Sequence, residues 1–146
     1  MRPRGPRPLT AAQQHLHLRS NSTFPGEVRL RHGRVTWRGR VRPTPLSRAY
    51  DIRLDYQAGD TPRVIVEGPN LRGLAKGRRL PHVYAQDPAR LCLYLPGTGE
   101  WRPELRLDAT MLPWSVIWFF YFEDWLETDE WKGGGEHPTD NEPLQV

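Results

Sequence analysis

The chain has 146 residues, the usual length of one domain with a core of its own, and 37% of them are hydrophobic. Its longest apolar run, residues 114–122, is too short to span a bilayer, and its Arg- and Pro-rich start lacks the apolar run of a secretory signal. Both features argue against a membrane protein or a secreted one. We therefore expect a cytoplasmic protein, since a reducing compartment also suits a solitary cysteine.

The net charge of +4 is unevenly distributed along the chain. Residues 1–56 contain twelve arginines against three acids, whereas residues 104–146 contain ten acids against two bases. Such polarity favours docking of a charged partner by electrostatic steering. The arginines within residues 29–42 recur largely at strand-like alternation, which favours the solvated face of a sheet and makes nucleic-acid binding unlikely.

The first half of the chain predicts one helix followed by strands. Residues 1–8 carry three prolines and three arginines and are expected to be a flexible N-terminus. Residues 9–18 predict a short helix in which Thr10 is a candidate N-cap. Alternating apolar and polar residues then predict a four-stranded antiparallel meander, with a hairpin turn at His32 and Gly33. The predicted strands are residues 27–31, 34–41, 50–56 and 63–67.

The second half predicts a loop-rich region and one long helix. Residues 68–79 form a Gly- and Arg-rich loop without a phosphate-binding motif, and residues 105–107 add a short extended piece. A helix is expected from about 112 to 127, capped by residues 108–110 and apolar around most of its surface, so it is either deeply buried or shared with a partner. The acidic cluster at its end, residues 123–130, indicates a solvated face.

The only cysteine, Cys92, lies among alternating apolar residues with Pro and Gly breaks, which predicts a short extended or looped segment. A single thiol forms no internal disulfide and lacks a second sulfur for a structural zinc. Two interpretations stay open at this point. Cys92 is either a small apolar side chain that fills the core or a nucleophile.

The surroundings of Cys92 favour the nucleophile. A Pro81-His82 pair, then Leu-Cys-Leu around Cys92, then Trp101-x-Pro103 and an amphipathic helix resemble the active-site region of ubiquitin-conjugating enzymes. The closer resemblance is to their bacterial relatives in CBASS antiphage operons, in particular the conjugation component of short type II systems. The resemblance implies the α+β ubiquitin-conjugating (UBC) fold over residues 9–137, followed by a flexible tail, residues 138–146. The sequence departs from the family pattern because Pro81-His82-Val83 replaces His-Pro-Asn, so the asparagine is absent.

The resemblance implies that Cys92 forms a thioester and passes the acyl group to an amine. Candidate catalytic partners are His82, Tyr84 and His137, the last brought across by the Gly133-Gly134-Gly135 segment. His82 has a structural interpretation as well as a catalytic one, because the equivalent histidine holds a loop in the family. No metal or cofactor is expected.

The implied donor is the C-terminus of a cGAS-like nucleotidyltransferase or of a ubiquitin-like protein, and the acceptor stays unidentified. Whether the protein forms a homodimer also stays open. The main alternative is a non-catalytic binding module with the same fold, in which Cys92 is core. A third is an RNA-binding domain that uses the Arg-rich half and whose affinity falls with salt.

Overall fold

The computed structural model describes residues 5–135 as a six-stranded antiparallel sheet with helices packed on one face. The strand order is β1-β2-β3-β4-β6-β5, so the first four strands form the expected meander and a second hairpin extends it. This confirms the mixed helix and antiparallel sheet, with one helix at each end. The elements are α1 (Ala11–Ser20), β1 (Gly26–Arg31), β2 (Arg34–Val41), β3 (Tyr50–Gln57), β4 (Arg63–Gly68), α2 (Leu71–Leu74), β5 (Val83–Gln86), β6 (Ala89–Leu91), a 3₁₀ turn (Leu107–Ala109) and α3 (Met111–Thr128).

Helix α1 begins with the cap that the sequence predicts. The Thr10 hydroxyl accepts from the Gln13 backbone N–H at 3.1 Å, and the Gln13 side chain accepts from the Thr10 N–H at 2.8 Å. The fully buried Gln14 then anchors the helix, since its amide donates to the Leu105 carbonyl at 2.8 Å and accepts from the Leu107 N–H at 2.9 Å. Helix α1 is thereby fixed to the segment that leads into α3.

The predicted hairpin between β1 and β2 is confirmed. His32 and Gly33 have φ of +50° and +75°, the left-handed pair that a two-residue hairpin turn requires, and Arg31 pairs with Arg34. Leu30 has an apolar position in the alternating pattern of β1, which predicts burial, but it remains 38% exposed because β1 is an edge strand.

The core lies between one face of the sheet and α3. Alternate residues of the inner strands are buried, as their period-2 pattern predicts. Tyr50 on β3 stacks on Phe119 of α3 with ring centroids 4.0 Å apart and contacts Phe122 edge-on. The buried residues of β2, β3 and β4 are Val35, Trp37, Val41, Tyr50, Ile52, Leu54, Tyr56, Val64 and Val66.

Three local expectations are corrected. The expected loop 68–79 contains the short helix α2, which Asn70 caps by accepting from the Gly73 N–H at 2.9 Å. Residues 105–107, which were expected to be extended, form no strand, and the 3₁₀ turn begins at Leu107. Thr110 makes no capping bond, because its hydroxyl donates back to the Arg106 carbonyl at 2.8 Å.

Helix α3 is apolar on more than its core side. Ile117 and Phe120 are each 53% exposed, whereas Trp118, Phe119 and Phe122 are buried. Helix α3 therefore has one buried face and one uncovered face, and whether a partner shares the uncovered face stays a prediction. Within residues 5–135 no helix has both the length and the apolar character needed to cross a membrane.

Candidate active site

Cys92 directly follows β6, at the start of the looped segment that the sequence predicts. Its backbone N–H donates to the carbonyl of His82 at 3.2 Å, which joins the two segments that flank the β5-β6 hairpin. The residue is buried, with 4% of its surface exposed, and it is one of the residues that line an open groove of about 340 Å³. Cys92 thus lies at the base of a surface groove.

His82 holds this arrangement through its backbone. It has a left-handed φ of +55°, and its carbonyl accepts a second hydrogen bond from Nε1 of Trp118 at 2.9 Å. The same oxygen therefore ties Cys92 to α3. Both contacts are made by the backbone of His82, and the residue also lines the groove, so the loop-holding and the catalytic interpretations of its imidazole both stay predictions.

Tyr84 on β5 lies beside the thiol. Its hydroxyl donates to the Tyr94 carbonyl at 3.5 Å, and the same carbonyl accepts from Sγ of Cys92 at 3.8 Å. The hydroxyl is also hydrogen-bonded to the Cys92 side chain. Burial, and then the bond to Cys92, raise the pKa of Tyr84, so this hydroxyl keeps its proton and stays a donor. The guanidinium of Arg90 covers the other side of the ring, 4.9 Å from its centroid.

The walls of the groove are mainly aromatic. Trp114, Trp118 and Tyr121 of α3 form one wall, and Trp131 contacts Trp118 at 5.6 Å and Tyr121 at 6.1 Å between ring centroids. Such a lining excludes water from one side of the recess and offers apolar contact to an extended chain.

Residues 131–135, here called the C-terminal strap, fold back over His82. The Trp131 ring stacks on the imidazole with centroids 5.4 Å apart and planes inclined by 24°. Gly135, at φ +77°, lies so close that a Cβ there would be 3.0 Å from Cε1 of His82. The sequence predicts that the segment after α3 turns toward the thiol, and the strap does so. His137 lies outside the described residues, so its predicted role stays a prediction.

The structure therefore brings Cys92, His82 and Tyr84 together. Trp101 of the Trp-x-Pro motif is buried against Tyr56 with centroids 5.6 Å apart. Sequence reasoning missed the site role of the aromatic wall and of Arg90. The many aromatic residues of α3 are the sequence feature that could have indicated the aromatic wall of the groove. No local pattern marks Arg90, because its contact depends on how β6 pairs with β5.

The acidic cluster at the end of α3 is only partly a solvated face. Glu123 departs from that expectation, since it accepts from the hydroxyls of Ser47 at 2.6 Å and Tyr50 at 2.9 Å. Asp129 pairs with Arg78 at 3.0 Å. Among residues 5–135, no cluster of His, Cys, Asp and Glu is suited to hold a metal ion.

The Arg-rich outer face of the sheet carries acids as well as arginines. Arg40 pairs with Asp51 at 3.0 Å, and Arg53 pairs with Asp55 at 2.8 Å and with Glu67 at 3.1 Å. These pairs fit the predicted solvated face.

Comparison with the curated proteins found no match. A scan against protein families matches residues 14–138 to the family described as the type II CBASS E2 protein. The matched range includes the whole sheet, the groove and α3, and therefore far more than half of the chain. The chain belongs to the type II CBASS E2 protein family.

Proposed function

We propose that the protein carries an acyl group as a thioester on Cys92 and transfers it to an amine. The proposed donor is the C-terminal carboxyl group of a cGAS-like nucleotidyltransferase, conjugated during antiphage defence. The observation that carries the proposal is the position of Cys92, which lines a groove and whose side chain is hydrogen-bonded to Tyr84. Membership of the E2 family supports conjugation as the general activity.

The groups around Cys92 suit this chemistry. A free cysteine has a pKa of about 8.5 and is only a few per cent thiolate near neutrality, so a nearby donor helps. The Tyr84 hydroxyl is such a donor, because a hydrogen bond to sulfur is strengthened when the sulfur becomes negative. After attack on an incoming thioester, the negative charge moves to the carbonyl oxygen. The Cys92 N–H already donates to His82, which leaves the Tyr84 hydroxyl as the donor better placed to follow that charge.

The low exposure of Cys92 also favours a second candidate function, a binding module in which the cysteine only packs. The two candidates differ in the reactivity of the thiol. A recessed nucleophile reacts with iodoacetamide in the folded protein, whereas a packed core thiol reacts only as the protein unfolds. We expect alkylation at a rate that stays unchanged when a stabilising salt slows unfolding.

The covalent step is tested by expressing the chain with its nucleotidyltransferase neighbour and the rest of the operon. Mass analysis without reductant should find an adduct that added thiol removes, since thiols exchange with thioesters. Cys92→Ser should give an adduct that resists thiol, because an oxygen ester replaces the thioester, and Cys92→Ala should give none. An adduct that persists in Cys92→Ala would refute the proposal.

A further inference from the structure

The chain contains few side-chain amines of its own that could accept an acyl group. It contains nineteen arginines but only two lysines, Lys76 and Lys132. The two lie in different environments. Lys76 lies in the turn after α2 and borders no part of the groove at Cys92, whereas Lys132 lies in the C-terminal strap.

Lys132 lies beside that groove, although it is not one of the residues that line it. Its neighbours on both sides, Trp131 and Gly133, line the groove. Its ammonium donates to Oδ1 of Asp124 at 3.3 Å, and Asp124 follows the groove residue Tyr121 by three positions on α3. The side chain is 47% exposed, so the amine can exchange this ion pair for another contact. An exposed ion pair of this kind contributes less than about 1 kcal/mol and gives way easily.

We propose that Lys132 is a self-modification site, whose amine accepts the acyl group carried by Cys92 of the same molecule. This inference rests on the proposed function. In the step, the Lys132 ammonium first loses a proton to water, and the resulting neutral amine forms a bond from nitrogen to the thioester carbonyl carbon. The bond from carbon to sulfur breaks, and Cys92 leaves as a thiolate. The second proton that the nitrogen loses passes to Asp124 and then to water. The product is an amide on Lys132 and a regenerated thiol.

The contacts around the strap make the transfer intramolecular. Trp131 stacks on His82, and the His82 carbonyl holds the Cys92 N–H, so the segment next to Lys132 is fixed beside the thioester. Holding two reacting groups on one framework raises their effective concentration far above that of a free amine. An acyl chain on Lys132 would remove the cation that pairs with Asp124 and add bulk beside the groove. Self-modification would therefore inactivate a protein molecule that carries an acyl group on Cys92 and meets no acceptor.

The experiment uses the full chain and a synthetic peptide that ends in glycine as a mercaptoethanesulfonate thioester. Intact mass and peptide mapping follow the adducts over time. We expect an adduct on Cys92 that thiol removes, followed by a thiol-resistant adduct on Lys132. Lys132→Arg keeps the cation beside Asp124 and should lower the resistant adduct by about tenfold or more, without changing loading of Cys92. Lys76→Arg is the matched control and should change neither.

The outcomes separate the two proposals. Cys92→Ala should abolish both adducts, and the rate of conversion should not depend on protein concentration. If Cys92 is loaded but the resistant adduct is unchanged in Lys132→Arg, or maps to another amine, the inference about Lys132 is overturned and the proposed function stands. If no thiol-sensitive adduct forms on Cys92, both are overturned.

Discussion

Substitution of Gly135 tests whether the C-terminal strap controls access to the thiol. Gly134 and Gly135 both have left-handed backbones, with φ of +69° and +77°, so alanine at either costs about 1 kcal/mol. Only at Gly135 does the new Cβ meet an obstacle, at 3.0 Å from Cε1 and 3.1 Å from Nε2 of His82. The imidazole is stacked on Trp131 and has little room to withdraw. We therefore expect Gly135→Ala to lift the strap at an added cost of about 1 kcal/mol or more.

An added cost of that size shifts the closed strap toward an open one by about fivefold, since 1.4 kcal/mol is a factor of ten. The assay is the rate of iodoacetamide alkylation of Cys92, read by intact mass at constant pH. Gly135→Ala should react about five times faster than Gly134→Ala, which carries the same backbone penalty but has no heavy atom within 4 Å of its Cβ. Equal rates in the two variants would show that the strap does not limit access to the thiol.

Three further predictions concern the hydroxyl groups. Tyr84→Phe should slow alkylation of Cys92 near neutral pH by about tenfold, because the thiolate loses a hydrogen-bond donor while the aromatic ring remains. An unchanged rate would argue against that donor. Glu123→Gln should lower the free energy of unfolding by about 1–2 kcal/mol in denaturant titrations, because an amide oxygen replaces two acceptors, whereas the exposed Glu127→Gln should change it little. Burial, and then the bond to Glu123, raise the pKa of Tyr50 in the folded protein. As the pH rises, the Tyr50 hydroxyl therefore loses its proton at a lower pH in the unfolded chain than in the folded protein. The free energy of unfolding should therefore fall as the pH rises above about 10, and Tyr50→Phe should flatten that fall.

The sequence predicts best where a structure depends on neighbouring residues. The capping box at Thr10, the left-handed pair at His32 and Gly33 and the alternation of β3 are local patterns, and all three elements form. The sequence predicts less well where pairing is distant. The β5-β6 hairpin consists of short strands, and it joins the sheet because β6 pairs with β4. The composition of these strands does not decide between an extended segment and a looped one.

The same distinction applies to the site. The sequence names Cys92 and His82 through a resemblance and Tyr84 through its position nearby, and the structure places the three together, while their catalytic roles stay predictions. The roles of Trp118 and Arg90 could not be predicted, since each depends on a contact between residues far apart in sequence or across a hairpin. Glu123 shows the converse error. Its charge suggested a solvated helix end, but the hydroxyls of Ser47 and Tyr50 reach it from the other side of the core.

The way in which Cys92 is held indicates which part of the site must yield when an acyl donor arrives. Moving the thiol segment would break the bonds that the His82 carbonyl receives from Cys92 and from Trp118, and both lie where water does not replace them cheaply. Lifting the strap breaks a ring stack and an exposed ion pair, each worth about 1 kcal/mol or less. Lifting the strap therefore costs less free energy than moving the thiol segment. If Cys92 is the nucleophile of the proposed function, we therefore expect the thiol segment to stay fixed and the strap to open when the donor binds.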